Sequence, residues 1–86
     1  MKFYYTYVLQ SEKDKHNYTG FTNDLRKRLI EHQKGEVFST KGRGLMKLIY
    51  YEACLHEDDA IQREKYLKSG IGKRYLKNRI RRFRFL

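Results

Sequence analysis

The sequence predicts an α+β domain, a small three-stranded antiparallel sheet flanked by helices in the order β-β-α-β-α-α. Three observations carry that expectation. The chain opens on an aromatic and β-branched run, Phe3-Tyr4-Tyr5-Thr6-Tyr7-Val8-Leu9, whose residue types suit a pleated, half-buried surface. Its later half carries apolar residues at helical spacing, first Ala60, Ile61 and Leu67, then Leu76, Ile80 and Phe83. With 86 residues and no proline, repeat or low-complexity linker, the chain reads as one domain over residues 1–86. A chain of this size buries only about 60 per cent of its unfolded surface.

The first strand covers residues 3–9. Ser11 to His16 is polar and reads as a loop, and Asn17-Tyr18-Thr19-Gly20 suits a short returning strand that completes a hairpin. Thr22, Asn23 and Asp24 offer N-cap oxygens, and Leu25, Leu29 and Ile30 mark the apolar side of a helix ending near Gly35. Residues 36–45 form a basic, glycine-containing loop around Ser39-Thr40-Lys41-Gly42-Arg43-Gly44. Residues 46–53, Met-Lys-Leu-Ile-Tyr-Tyr-Glu-Ala, are expected to form the third strand. A second helix runs from about Asp58 to Ser69, with Gly70 as its stop, and a last helix starts at about Lys73. Tyr4, Tyr5, Tyr50 and Tyr51 are expected simply to pack, as is the lone Cys54, which excludes an internal disulfide and a cysteine-rich zinc site.

Charge points to the partner. Twenty Lys and Arg face ten Asp and Glu, for a net charge of +10. From Lys73 onward there are seven basic residues (Lys73, Arg74, Lys77, Arg79, Arg81, Arg82 and Arg84) and no acid. Such a cluster on a small domain is the footprint of a polyanion. Nucleic acid, with DNA the expected form, leads over an anionic membrane or acidic protein, and a solvated basic helix is the bland alternative. No leader or long apolar run is evident, so a cytoplasmic protein is expected.

Three sets of residues attract chemical attention. Ile61, Glu64 and Leu67 fall at i, i+3 and i+6 on the second helix, so Glu64 interrupts an apolar stripe. A carboxylate there must be paired, protonated or metal-bound if it is buried. A salt bridge to Arg63 or Lys68, or a turn toward solvent, is the plainer reading. Leu25, Arg28, Leu29 and His32 share a face of the first helix. That sets a guanidinium fork, a natural phosphate ligand, one turn from an imidazole that titrates near neutrality. Against this, Arg26, Lys27 and Arg28 are consecutive and such runs are mostly solvated. Tyr7 and Tyr18 have ten residues between them, and Arg28 follows ten positions after Tyr18. A phenol serves as a general base only where cations lower its pKa of about 10.

Taken together, Tyr5-Thr6-Tyr7, Tyr18-Thr19-Gly20, the arginine ten residues on, the histidine after it and the late helical glutamate resemble the GIY-YIG nuclease family. The likeness covers nearly the whole chain and is closest to small stand-alone bacterial members related to the catalytic N-terminal domain of the excinuclease C subunit. The first signature lacks its Gly and Ile, and the second has Thr for Ile. The resemblance implies an α+β core that hydrolyses phosphodiesters with one divalent cation, Mg²⁺ or Mn²⁺. By that analogy Glu64 holds the metal and Arg28 grips the scissile phosphate. Tyr7 or Tyr18 orients or deprotonates the attacking water, His32 assists proton transfer, and Asn78 is a supporting residue.

The leading expectation is therefore a metal-dependent DNA endonuclease, repair-related or structure-specific, with catalytic residues Tyr7, Tyr18, Arg28, His32 and Glu64. Substrate grip is expected from Lys41, Arg43, Lys73, Arg74, Lys77, Asn78 and Arg79, through phosphate contacts that carry no sequence information. Two alternatives stand beside it. One is a non-catalytic nucleic-acid-binding module. The other is a subunit that docks on a larger repair or restriction partner through Phe83-Arg84-Phe85-Leu86.

Overall fold

The computed structural model describes residues 1–84, so Phe85 and Leu86 of the suggested docking tail lie outside the described residues. The elements are β1 (Tyr4–Ser11), β2 (Asn17–Thr22), α1 (Leu25–Gln33), β3 (Met46–Cys54), α2 (Glu57–Lys68), α3 (Gly70–Arg79) and α4 (Arg81–Arg84). The sheet is antiparallel throughout, in the order β2-β1-β3. The α+β class and the β-β-α-β-α-α order are as expected, with α4 as a short addition.

The central strand β1 is covered on both faces, which explains its nearly unbroken run of large side chains. Tyr7 and Leu9 pack with Met46, Leu48 and the α1 residues Leu25 and Leu29 on one face. Val8 packs with Leu67 of α2 and Leu76 of α3 on the other. The small polar residues within this core are all satisfied. Thr6 Oγ1 donates to the Ala60 carbonyl at 2.8 Å and Ser11 Oγ to the Arg43 carbonyl at 2.8 Å. Outside the core a further tie fixes α2 to β3: Arg63 pairs in a fork with Glu52 (2.8 and 2.6 Å) and stacks over the rings of Tyr66 and Tyr75.

Four local expectations are corrected. Ile30 is 45% exposed, so α1 packs on the sheet through Leu25, Leu29 and His32 instead. α2 ends at Lys68, just before Gly70 as expected, but the next helix starts at Gly70 itself rather than at about Lys73. Ser69 caps both helices, and its hydroxyl accepts from the Gly72 amide at 3.1 Å. A Cβ on Gly72 would strike the Tyr66 carbonyl, so glycine is what lets the elbow close. The last helix is not continuous, because Ile80 departs from helical geometry between α3 and α4. Finally, Tyr51 is 52% exposed and so does not simply pack. Cys54 sits half-buried at the end of β3 with its thiol aimed at the carbonyls of Tyr4 and His56.

Candidate active site

Strand pairing decides which phenols meet. Tyr7 lies directly opposite Gly20, and Tyr18 opposite Leu9, so both tyrosines rise from the α1 face of the sheet. Gly20 is the residue that makes this possible. A Cβ there would sit 2.5 Å from the Tyr7 hydroxyl, so the glycine of Tyr18-Thr19-Gly20 provides the space over which the Tyr7 ring lies.

α1 is positioned above that ring by Asp24, whose carboxylate caps the helix by accepting from the Lys27 amide at 3.1 Å. Its third turn carries His32, which is 4% exposed and does not face water. His32 Nε2 lies 2.9 Å from the Tyr7 hydroxyl, and His32 Nδ1 lies 2.7 Å from Thr40 Oγ1. The rings of Tyr7, Tyr18 and His32 form a mutual cluster with centroid separations of 5.3 to 6.4 Å. Arg28, one turn earlier, donates from Nε to the Tyr7 hydroxyl at 3.4 Å and from a terminal nitrogen to Glu31 at 3.2 Å.

The protonation pattern follows from burial. Tyr7 is fully buried, and desolvation pushes its pKa up to about 12, with Tyr18 and Glu64 adding in the same direction and Arg28 opposing. This is the reverse of the activation that a general base needs. His32 is lowered below its ordinary value, by burial first and by the Arg28 charge second. The pair is therefore a neutral phenol and a neutral imidazole. A protonated phenol needs an acceptor, and Nε2 is the one within reach. The ring proton then resides on Nδ1 and is donated to Thr40.

Thr40 was not singled out by the sequence, nor was Glu31. Thr40 lies in an aperiodic loop with no local signal. Glu31 stands three residues after Arg28, and that spacing alone was the available clue. The loop over residues 36–45 is anchored rather than free, through buried Val37 and Thr40.

Glu64 is 23% exposed at its side chain and pairs with Lys68 Nζ at 2.9 Å. Arg63 is taken by Glu52 instead. Glu64 therefore borders the site as a compensated, partly solvated carboxylate, close enough for its charge to bear on Tyr7. Among the described residues no three His, Cys, Asp or Glu gather into a metal cage. Glu64 is the carboxylate that would hold a divalent ion, and an ion of the Mg²⁺ kind, which keeps several of its waters, asks for only one or two carboxylates.

From Tyr18 an open groove of about 1040 Å³ runs between β2 and the α2–α3 elbow. Lys15, Arg43, Lys68, Lys73, Arg74 and Lys77 line it, and no acid does. Lys15 is held in the left-handed region at φ 64° by the hairpin loop. Of the expected substrate contacts, Arg43, Lys73, Arg74 and Lys77 are on this wall. Lys41, Asn78 and Arg79 are exposed and do not line it.

A sheet that presents two tyrosines to an arginine and histidine on one helix, with a glutamate from another alongside, defines a nuclease-type core. Residues 3–81 match the GIY-YIG catalytic domain, and the chain belongs to that family of nucleases. Its relatives include a UPF0213 protein of Clostridium perfringens, 43% identical over 65 residues, 74% of this chain and 69% of that one. Another, from Oceanobacillus iheyensis, is 35% identical over 76% of each chain. A solution NMR structure of a UPF0213 protein from Bacillus halodurans superposes with a TM-score of 0.54 at 31% identity, covering 86% of this chain and 81% of that one. No helix among the described residues is long and apolar enough to cross a membrane.

Proposed function

We propose that this chain is a divalent-metal-dependent endonuclease that hydrolyses phosphodiester bonds in DNA, with Mg²⁺ or Mn²⁺ held at Glu64. The observation that carries the reading is the convergence of Arg28 and His32 on the Tyr7 hydroxyl, with the Tyr18 ring packed against Tyr7 and His32.

The roles divide by access. Arg28 lines a small cleft with its remaining donors free of the Tyr7 and Glu31 bonds, and it grips the non-bridging oxygens of the scissile phosphate. Tyr18, which borders the groove and whose ring packs against Tyr7 and His32, orients the attacking water. Tyr7, His32 and Thr40 act as positioning residues: both imidazole nitrogens are engaged, and the chain fixes the hydroxyl that locates Arg28. When bound, the cation supplies Lewis acidity to the phosphate. Lys68 must release Glu64 as that happens. The groove cations hold the backbone without reading sequence.

Arg28→Ala should lower cleavage by about 10²- to 10³-fold, the usual cost of removing one preorganised donor from a developing oxyanion. Affinity for the same DNA, measured without metal, should change only a few-fold. Equal losses in cleavage and affinity would instead make Arg28 a plain binding residue. The second reading, a non-catalytic binding module, draws on the Glu64–Lys68 pair and on the raised Tyr7, which leave that site without a ready base. No cutting with either metal on any substrate would favour it.

A further inference from the structure

Tyr51 stands directly opposite Tyr7 in the β1–β3 pair, so it projects from the same face of the sheet one strand further out. α1 covers Tyr7, Leu9, Met46 and Leu48 on that face but leaves Tyr51 52% exposed. Tyr5 backs it, with ring centroids 6.1 Å apart at 58°. Across the strands Tyr5 faces only Ala53 and Thr22, small residues that leave the two rings standing as a raised aromatic ledge. Thr22 also lines the cleft that holds Arg28. The ledge is therefore continuous with the phosphate site through one residue.

Charge separates the ledge from the groove. The cleft beside it sets Asp24, Glu31 and Glu57 against Lys27 and Arg28, whereas the groove on the far side of Tyr18 has six cations and no acid. Beyond the one phosphate that Arg28 holds, the carboxylates repel further backbone charge from that side, and the groove draws it. A neutral, planar base has no such penalty, and stacking on tyrosine suits any base that is free of its partner. A base locked in an uninterrupted duplex cannot present its face to the ledge.

We propose that Tyr51, supported by Tyr5, stacks an unpaired base of a nucleotide flanking the scissile phosphate, so that the substrates are single strands, flaps or junctions with unstacked bases. This rests on the nuclease reading for the position of the phosphate. The test uses single-stranded and fully paired oligonucleotides carrying 2-aminopurine, whose fluorescence falls on stacking, with the intact protein in EDTA so that nothing is cut. Wild type should quench the single strand and bind it about tenfold more tightly than Tyr51→Ala does. Tyr51→Phe should retain both effects, and duplex affinity should be the same in all three. Tyr51 is exposed, so these variants keep the core intact.

Equal single-strand affinity and quenching in wild type and Tyr51→Ala would overturn the proposal. So would concentration-dependent self-association that buries the ledge against a second copy. Cleavage assays on the same strands separate the two claims. Cutting that is unaffected by Tyr51→Ala sinks the ledge and keeps the nuclease. Quenching that depends on Tyr51, with no cutting in Mg²⁺ or Mn²⁺, keeps the ledge and sinks the nuclease.

Discussion

His32 shows how a single buried side chain links stability to the candidate chemistry. It sits between Tyr7 and Thr40, and burial lowers its pKa beneath the ordinary 6.5. Because the folded value lies below the unfolded one, the unfolded chain binds more protons between them, and stability rises with pH. The contribution is complete above about pH 6.5 and is lost as pH falls from there through the lower folded value. Asp14 and Glu52 also titrate low, but from ordinary values of 3.8 and 4.5, so they act in a more acidic window. Thermal melts should therefore show the wild type losing Tm between pH 7.5 and 5.5, with a clearly smaller change in His32→Gln. Parallel loss in both proteins would mean that His32 is not the group responsible. Residues of this kind were only half legible. Periodicity puts Arg28 and His32 on one face of α1, but Thr40 comes from an aperiodic loop and Tyr7's burial depends on a cross-strand glycine. The sequence pattern suggests phenols activated by cations. Desolvation outweighs the single arginine at Tyr7 and drives it the other way.

At the scale of elements, the elbow between α2 and α3 decides where the groove wall stands. Ser69 caps both helices, and Gly72 lets the first turn of α3 lie against the last turn of α2. Two glycines two residues apart should thus respond oppositely to alanine. Gly72→Ala forces backbone against backbone and should cost about 1–3 kcal/mol in urea unfolding. Gly70→Ala meets nothing within 4 Å and should be neutral or stabilise slightly, by up to about 1 kcal/mol. Similar costs at both sites would contradict the close approach seen at Gly72. The stop of α2 was legible, because glycine near a helix end signals one, but only tertiary proximity reveals that α3 starts at the same glycine. The β1 run, the Asp24 cap and the Gly35 terminus were legible because local chemistry alone fixes them. Tyr51 was not. Consecutive Tyr50 and Tyr51 must face opposite ways, and the register shift between Val8 and Leu9 determines which one α1 leaves uncovered.

Over the whole molecule, the +10 charge is organised rather than diffuse. Cations from the hairpin loop, the 36–45 loop, α2 and α3 converge on one groove ending at Tyr18, while Asp24, Glu31 and Glu57 lie beside Arg28 in a separate cleft. A basic C-terminal segment was plain from composition, but its partners Lys15 and Lys68 come from distant parts of the chain that only folding assembles. The activity proposed for this assembly is DNA cleavage that depends on Glu64. Its most direct test is cleavage of a branched DNA with a single-stranded arm, in Mg²⁺ or Mn²⁺, by wild type and Glu64→Gln, with binding measured in parallel without metal. Cutting should require the divalent cation and fall by orders of magnitude in the variant, while affinity stays within a few-fold. Equal cutting by both proteins, or tight binding with no cutting by either, would contradict it.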